Sequence, residues 1–204
     1  MSTEATRREI SPPGAESAIG WSFSTSQSLL GIETSASKVP LPHIRRRPAH
    51  SRLWLTEEHV RQLRHLAELS YPFEACGLLI GTVDIDPGDA GAGAGRCDRR
   101  TVSLVQASNL SPMLERNRFV LDPQDYLDTE SSARRDRLEI IGVWHSHPDH
   151  PAVPSVIDLE TAWADHSQVI VSVDAMGDTV LRSWRLAGQR FTPEAIRITS
   201  SNEA

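Results

Sequence analysis

Apolar residues recur along the chain with two periods, and the switches between them outline the elements. Behind Thr56, a good N-cap, Leu63, Leu66, Ala67 and Leu69 follow helical spacing, so an amphipathic helix is predicted over residues 56–70, ended by Pro72. Residues 75–81, Ala-Cys-Gly-Leu-Leu-Ile-Gly, are a short apolar run bounded by glycine and are predicted as a buried strand. A Gly/Ala/Asp-rich loop follows over 86–95. Strands are predicted over 102–107 and 118–121. Asp122-Pro123 opens a charged, partly exposed helix running to about residue 137. A strand is predicted over 139–144, a helix over 155–165 with Ser155 as its N-cap, and strands over 169–173 and 179–186. Beyond Gly188 the signal fades, and residues 189–204 are expected to be a tail. Strands alternating with helices imply a single α/β domain over residues 52–188.

Residues 1–51 differ from the rest. They hold ten serines, several prolines and no sustained apolar period. Such a stretch cannot bury enough surface to offset its ordering entropy, so a disordered or mis-assigned N-terminal extension is expected. No clean apolar segment follows Arg7 and Arg8, which argues against a secretory signal. The Arg45-Arg46-Arg47 run reads as a solvated patch.

Composition narrows the function classes. The chain of 204 residues is 39% hydrophobic and 5% aromatic, room for one ordinary core. Mean hydropathy is -0.33, and no apolar run approaches the roughly 18 residues that span a bilayer. A net charge of -6 argues against binding nucleic acid through its phosphates. Two cysteines cannot build a disulfide framework, and a reducing, cytoplasmic setting is expected.

The chemistry is concentrated after the strand at 139–144. In extended backbone His145 and His147, two residues apart, share a face and can point at one centre. They cap an apolar strand, unlike His43, His50, His59, His65 and His166, which read as surface histidines. A catalytic zinc takes three protein ligands and keeps an open position. Asp158, eleven residues beyond His147 in the first turn of the predicted helix, is the nearby third ligand, with Ser155 on the same helical face. Pro148, Pro151 and Pro154 stiffen the loop between them. Ser146 should point the other way and serve a structural hydrogen bond. Trp144, Trp163 and Trp184 read as core.

The pattern His145-Ser146-His147, seven residues, Ser155, two residues, Asp158 resembles the JAMM motif of the JAB1/MPN metalloproteases. Glu74, in Pro72-Phe73-Glu74-Ala75-Cys76-Gly77, matches that family's upstream glutamate, and the segment looks like its bacterial branch. Further likeness lies in 109–112, 118–123 and 169–173 followed by 181–184, so the resemblance covers roughly residues 53–187. It implies an MPN, cytidine-deaminase-like domain, with a central mixed sheet flanked by helices and Zn²⁺ on His145, His147 and Asp158. Glu74 would serve as base and acid, and Ser155 would stabilise the oxyanion. Cys76 is expected to be a small buried thiol. Bacterial relatives of this kind resemble proteases that act on ubiquitin-like sulfur-carrier proteins ending in Gly-Gly, so cleavage after such a tail is expected, trimming the carrier or releasing a cysteine. The interval between Asp158 and Val169 is too short for the insertions with which eukaryotic members grip ubiquitin chains. A deaminase-type zinc site would need His-x-Glu with Pro-Cys-x-x-Cys, and a zincin would need His-Glu-x-x-His; neither occurs. The rival from another class is a non-catalytic MPN scaffold.

Overall fold

The first strand is β1 (His50–Thr56), which the sequence pattern does not announce. Its alternation is short, and its outward positions carry Arg52 and Trp54, while Leu53 and Leu55 are fully buried. The computed structural model describes residues 50–86, 95–111 and 117–200. Residues 1–49 of the extension expected over 1–51, with the Arg45–Arg47 patch, and most of the expected loop (87–94) lie outside the described residues, whereas His50 and Ser51, also assigned to the extension, open β1.

Helix α1 (Glu57–Ser70) begins where the N-cap predicts. Thr56 Oγ1 accepts from the His59 N–H at 3.1 Å, and His59 Nδ1 accepts from the Thr56 N–H at 3.2 Å. A histidine therefore completes the reciprocal cap that Glu or Gln usually makes. His59 is buried, which corrects the surface position expected from sequence, because capping draws its ring against the helix start. Val60, Leu63 and Ala67 form the buried face.

Strands β2 (Cys76–Asp86) and β3 (Arg96–Ala107) run longer than the apolar pattern suggests. Their register shifts between Ile80 and Gly81, so the alternation changes phase there and the charged half reads as loop. Gly77 is fixed by close approach: a Cβ there would land on the Val105 carbonyl and the Trp144 indole. The expected strand at 118–121 is reduced to a single bridge between Asn109 and Leu121.

Helix α2 (Pro123–Arg135) starts with Asp122, whose Oδ1 accepts from the Gln124 N–H at 2.8 Å. Strand β4 (Glu139–Pro148) continues four residues past the predicted end and carries both motif histidines. Helix α3 (Val156–Thr161) is shorter than predicted, since Ala162 is already extended. Then come β5 (Ser167–Val173), β6 (Thr179–Ala187) and β7 (Arg190–Thr199). The last corrects the expected tail. Glu194 occupies an interior position and Pro193 precedes it, so the apolar alternation of a strand is broken. Its carboxylate instead accepts from Ser183 Oγ at 2.6 Å and from Ser51 Oγ.

The sheet is mixed, as expected, and it closes: β1-β3-β2-β4-β5-β6-β7, with β7 returning to β1. The β1–β3, β1–β7 and β4–β5 pairs are parallel, and the other pairs antiparallel. One core gathers Leu53, Leu63, Leu79, Ile141, Trp144, Val169 and Val171 with α1. A second lies across the other side of β2 and β4, where Leu78, Ile80, Ile140 and Val143 meet Ala133 of α2. Among the described residues no helix is long and apolar enough to cross a membrane.

Candidate metal centre

Strand β4 changes role along its length. Val143 faces the α2 core, and two and four residues on, His145 and His147 continue that face. Ser146 points to the opposite side, as expected: its Oγ accepts from the Ala75 N–H at 2.8 Å and its N–H donates to the Ala75 carbonyl at 2.9 Å. The residue between the two histidines thus staples β4 to the segment bearing Glu74.

Helix α3 delivers the acid. Ser155 Oγ accepts from the Asp158 N–H at 3.1 Å, and the Ser155 N–H donates to Asp158 Oδ2 at 2.6 Å. This reciprocal cap fixes the Asp158 carboxylate while turning it toward β4. His145 Nε2 lies 3.0 Å from His147 Nε2 and 3.2 Å from Asp158 Oδ1, and His147 Nε2 lies 3.5 Å from Asp158 Oδ2. Among the described residues these three form a group able to share one ion. Ligands 2.0–2.1 Å from a tetrahedral zinc stand about 3.3 Å from one another, so the spacings and the two-nitrogen, one-oxygen donor set fit that ion.

The surroundings prepare the ligands. The His147 Nδ1–H donates to the Pro151 carbonyl at 2.9 Å, which leaves the Nε2 lone pair facing the centre. His145 stacks on Phe119, with ring centroids 4.6 Å apart and 25° between planes. Burial pushes the His145 pKa down against the pull of Asp158. Burial also opposes charging of His147, but Asp158, the Pro151 carbonyl and Glu74 outweigh it and raise its pKa. Burial works against ionised Asp158 too, yet the two histidines hold its carboxyl well below the usual range.

Glu74 precedes β2 and is only 6% exposed. Burial pushes its pKa up to about 8, with the charge of His147 lowering it and that of Asp158 raising it. Its carboxyl is thus close enough to His147 and Asp158 to feel their charges. Its backbone is pinned from two sides: the Asn109 Nδ2–H donates to the Glu74 carbonyl at 2.9 Å, and Ser146 holds Ala75. Asn109 Oδ1 in turn accepts from the Val120 N–H at 2.9 Å. Neither this bracing by Asn109 nor the Phe119 stack was legible from spacing, because both join segments distant in sequence.

The remaining residues divide. Cys76 stands outside the group, its thiol 3.9 Å from the carbonyls of Ala107 and Ser108 and its pKa pushed by burial up to about 12. His65 and His150 are exposed, away from the centre. Trp144 is core, and Trp184 is half-buried with its N–H donating to the Ala152 carbonyl at 3.1 Å. Trp163 is a correction: it is 37% exposed and lines a cavity that also touches His145 and Asp158. Helix α3 stops two residues before it, which swings the indole out of the core.

A closed mixed sheet with a His-x-His strand end and an aspartate-bearing helix start defines a JAB/MPN-type domain with a JAMM arrangement. Residues 56–187 match the family described as prokaryotic homologs of the JAB domain, and the chain belongs to it. A desampylase of Haloferax volcanii is 29% identical over 128 residues, which cover 62% of this chain and 79% of that protein. A desampylase of Pyrococcus furiosus is 40% identical over 42 residues, 21% of this chain and 30% of that one. A solution structure of a Desulfitobacterium hafniense protein aligns with a TM-score of 0.61 and 27% identity, covering 74% of this chain and 95% of that one. One from Salinibacter ruber aligns with a TM-score of 0.51 and 35% identity, covering 76% and 94%.

Proposed function

We propose that this chain is a zinc-dependent peptidase or isopeptidase. It would hydrolyse the amide bond that follows the Gly-Gly tail of a ubiquitin-like protein, a sulfur carrier in the first instance. The observation that carries the reading is the convergence of His145, His147 and Asp158, beside a buried carboxyl, Glu74, that feels the charges of His147 and Asp158. The likeness to two desampylases, whose names describe removal of a modifier, supports deconjugation. The unpaired Cys76 and Cys97 agree with a reducing, cytoplasmic setting.

His145, His147 and Asp158 would hold the metal. Zinc in such a site supplies Lewis acidity and brings the pKa of a water to about 7. Glu74 takes the proton of the attacking water as its oxygen bonds to the carbonyl carbon. Glu74 then returns that proton to the nitrogen as the C–N bond breaks. A carboxyl held near neutrality by burial can do both in turn. Ser155 Oγ already accepts from the Asp158 N–H, so its own O–H is left to donate to the carbonyl oxygen as that atom gains charge. Glycines at the scissile bond carry no side chains to clash with the proline-stiffened loop between β4 and α3.

Incubation of the zinc-loaded protein with carrier proteins ending in Gly-Gly-X tests this. Release of X by the wild type and its loss in Glu74→Gln is the expected result. A non-catalytic scaffold would release nothing from any carrier and would lose no function on Asp158→Ala.

A further inference from the structure

A second feature adjoins the centre without serving the reaction steps above. A cavity of about 180 Å³ opens beside His145 and Asp158, walled by Phe119, Val143, Ala162 and Trp163, with Gln168 in its lining. Its lining is largely apolar, with Arg118 and Thr161 among its polar members, and its aromatic walls are braced. Phe119 is held by its stack on His145. Trp163 is held edge-on by Tyr126, at 4.8 Å and 86°, and by His166, at 5.7 Å and 78°. An indole that is 37% exposed yet braced by two other rings is a rigid wall at the mouth of a cavity. For size, an apolar cavity of about 150 Å³ accommodates a benzene ring.

We propose that this cavity is a side-chain pocket that selects a large apolar residue, of the size of Leu or Phe, at the position directly after Gly-Gly in the substrate. The proposal rests on the Gly-Gly reading. The two glycines have no side chain to offer, and the pocket touches two of the three residues of the centre. The nearest side chain able to enter it is that of the residue on the amine side of the scissile bond.

The test uses the full chain, zinc-loaded, with peptides acetyl-Ala-Gly-Gly-X-amide, where X is Ala, Ser, Lys, Leu or Phe, and with acetyl-Phe-Gly-Gly-Ala-amide. Cleavage is followed for the wild type, and binding to Glu74→Gln is followed by tryptophan emission, to which Trp163 contributes. The expected result is kcat/KM at least about tenfold higher for Phe and Leu than for Ala, as burial of several methylene equivalents implies. Ala162→Phe, which fills the cavity, should bring the Phe-to-Ala ratio close to one, and Trp163→Ala should lower it. Equal cleavage at every X would overturn the pocket and leave the hydrolase reading standing. A preference for the peptide with Phe before Gly-Gly would overturn it as well, by assigning the cavity to the acyl side. Binding in the order Phe, Leu, then Ala without any cleavage would uphold the pocket and sink the hydrolase reading. Neither binding nor cleavage would overturn both.

Discussion

At the residue scale several side chains of the site carry two tasks. Ser155 caps α3 through its Oγ and is proposed to donate through its O–H. Ser155→Ala should therefore lower kcat by about 10²–10³ and stability by about 1 kcal/mol. Ser155→Asp keeps a cap but removes the donor, so it should recover the melting temperature and not the turnover. Recovery of both by Asp would leave the hydroxyl with a capping role alone. Cys76 illustrates the opposite case, a thiol near the centre in sequence but directed at the Ala107 and Ser108 carbonyls. Burial holds its pKa at about 12, so iodoacetamide at pH 8 should leave it unmodified in the native protein and alkylate it only after unfolding. Mass mapping of native Cys76 with a label attached would contradict that environment. His145, His147 and Asp158 were legible in the sequence because strand alternation and a helix cap place them by local rules. The Phe119 stack and the Asn109 brace were not, since each joins segments that only the tertiary fold brings together.

At the element scale, strand contacts set where the motif sits. β2 lies between β3 and β4, and Gly77 brings its backbone against the Val105 carbonyl and the Trp144 indole. Gly77→Ala should destabilise the fold by about 1–3 kcal/mol or more, read by denaturant unfolding, because backbone on one side cannot yield. An unchanged midpoint would mean that the strands are further apart. The edge between β1 and β3 is held by Arg52, whose guanidinium donates to both Asp98 oxygens at 2.8 and 2.7 Å. That partner lowers the Asp98 pKa below its unfolded value of about 3.9. Its contribution to stability is then full above that unfolded value and is lost as pH falls through the lower folded one. Asp98→Asn should lower the melting temperature at pH 7 and by much less near pH 3, and an equal loss at both would rule out the charged pair. β1 escaped sequence reading because Arg52 and Trp54 interrupt Leu53 and Leu55 within a seven-residue strand. The predicted helix over 155–165 was too long because periodicity continues past Ala162, where the backbone turns extended.

At the scale of the whole molecule, closure of the sheet is the feature that local patterns missed. The β7–β1 seam joins the last described strand to the first, and its interior is partly polar. Arg99 donates to the Asp165 carbonyl at 2.8 Å and lies 3.8 Å from Glu194, a cluster whose charges disguise core positions as surface. Truncation after Gly188 would remove β7, strip β1 of one neighbour and leave Ser51, Ser183 and Arg99 without Glu194. Such a chain should fail to unfold cooperatively on heating, whereas a sharp native-like transition would show that β7 is dispensable. The metal centre draws its parts from β4, α3 and the approach to β2, so it needs the assembled fold.

The most direct measurement is the zinc content of the purified chain after loading and desalting. One ion per chain is predicted for the wild type and for Glu74→Gln, with Asp158→Ala losing most of it. A wild type that retains no zinc, or an Asp158→Ala chain that retains a full equivalent, would contradict the claim that His145, His147 and Asp158 hold a metal together.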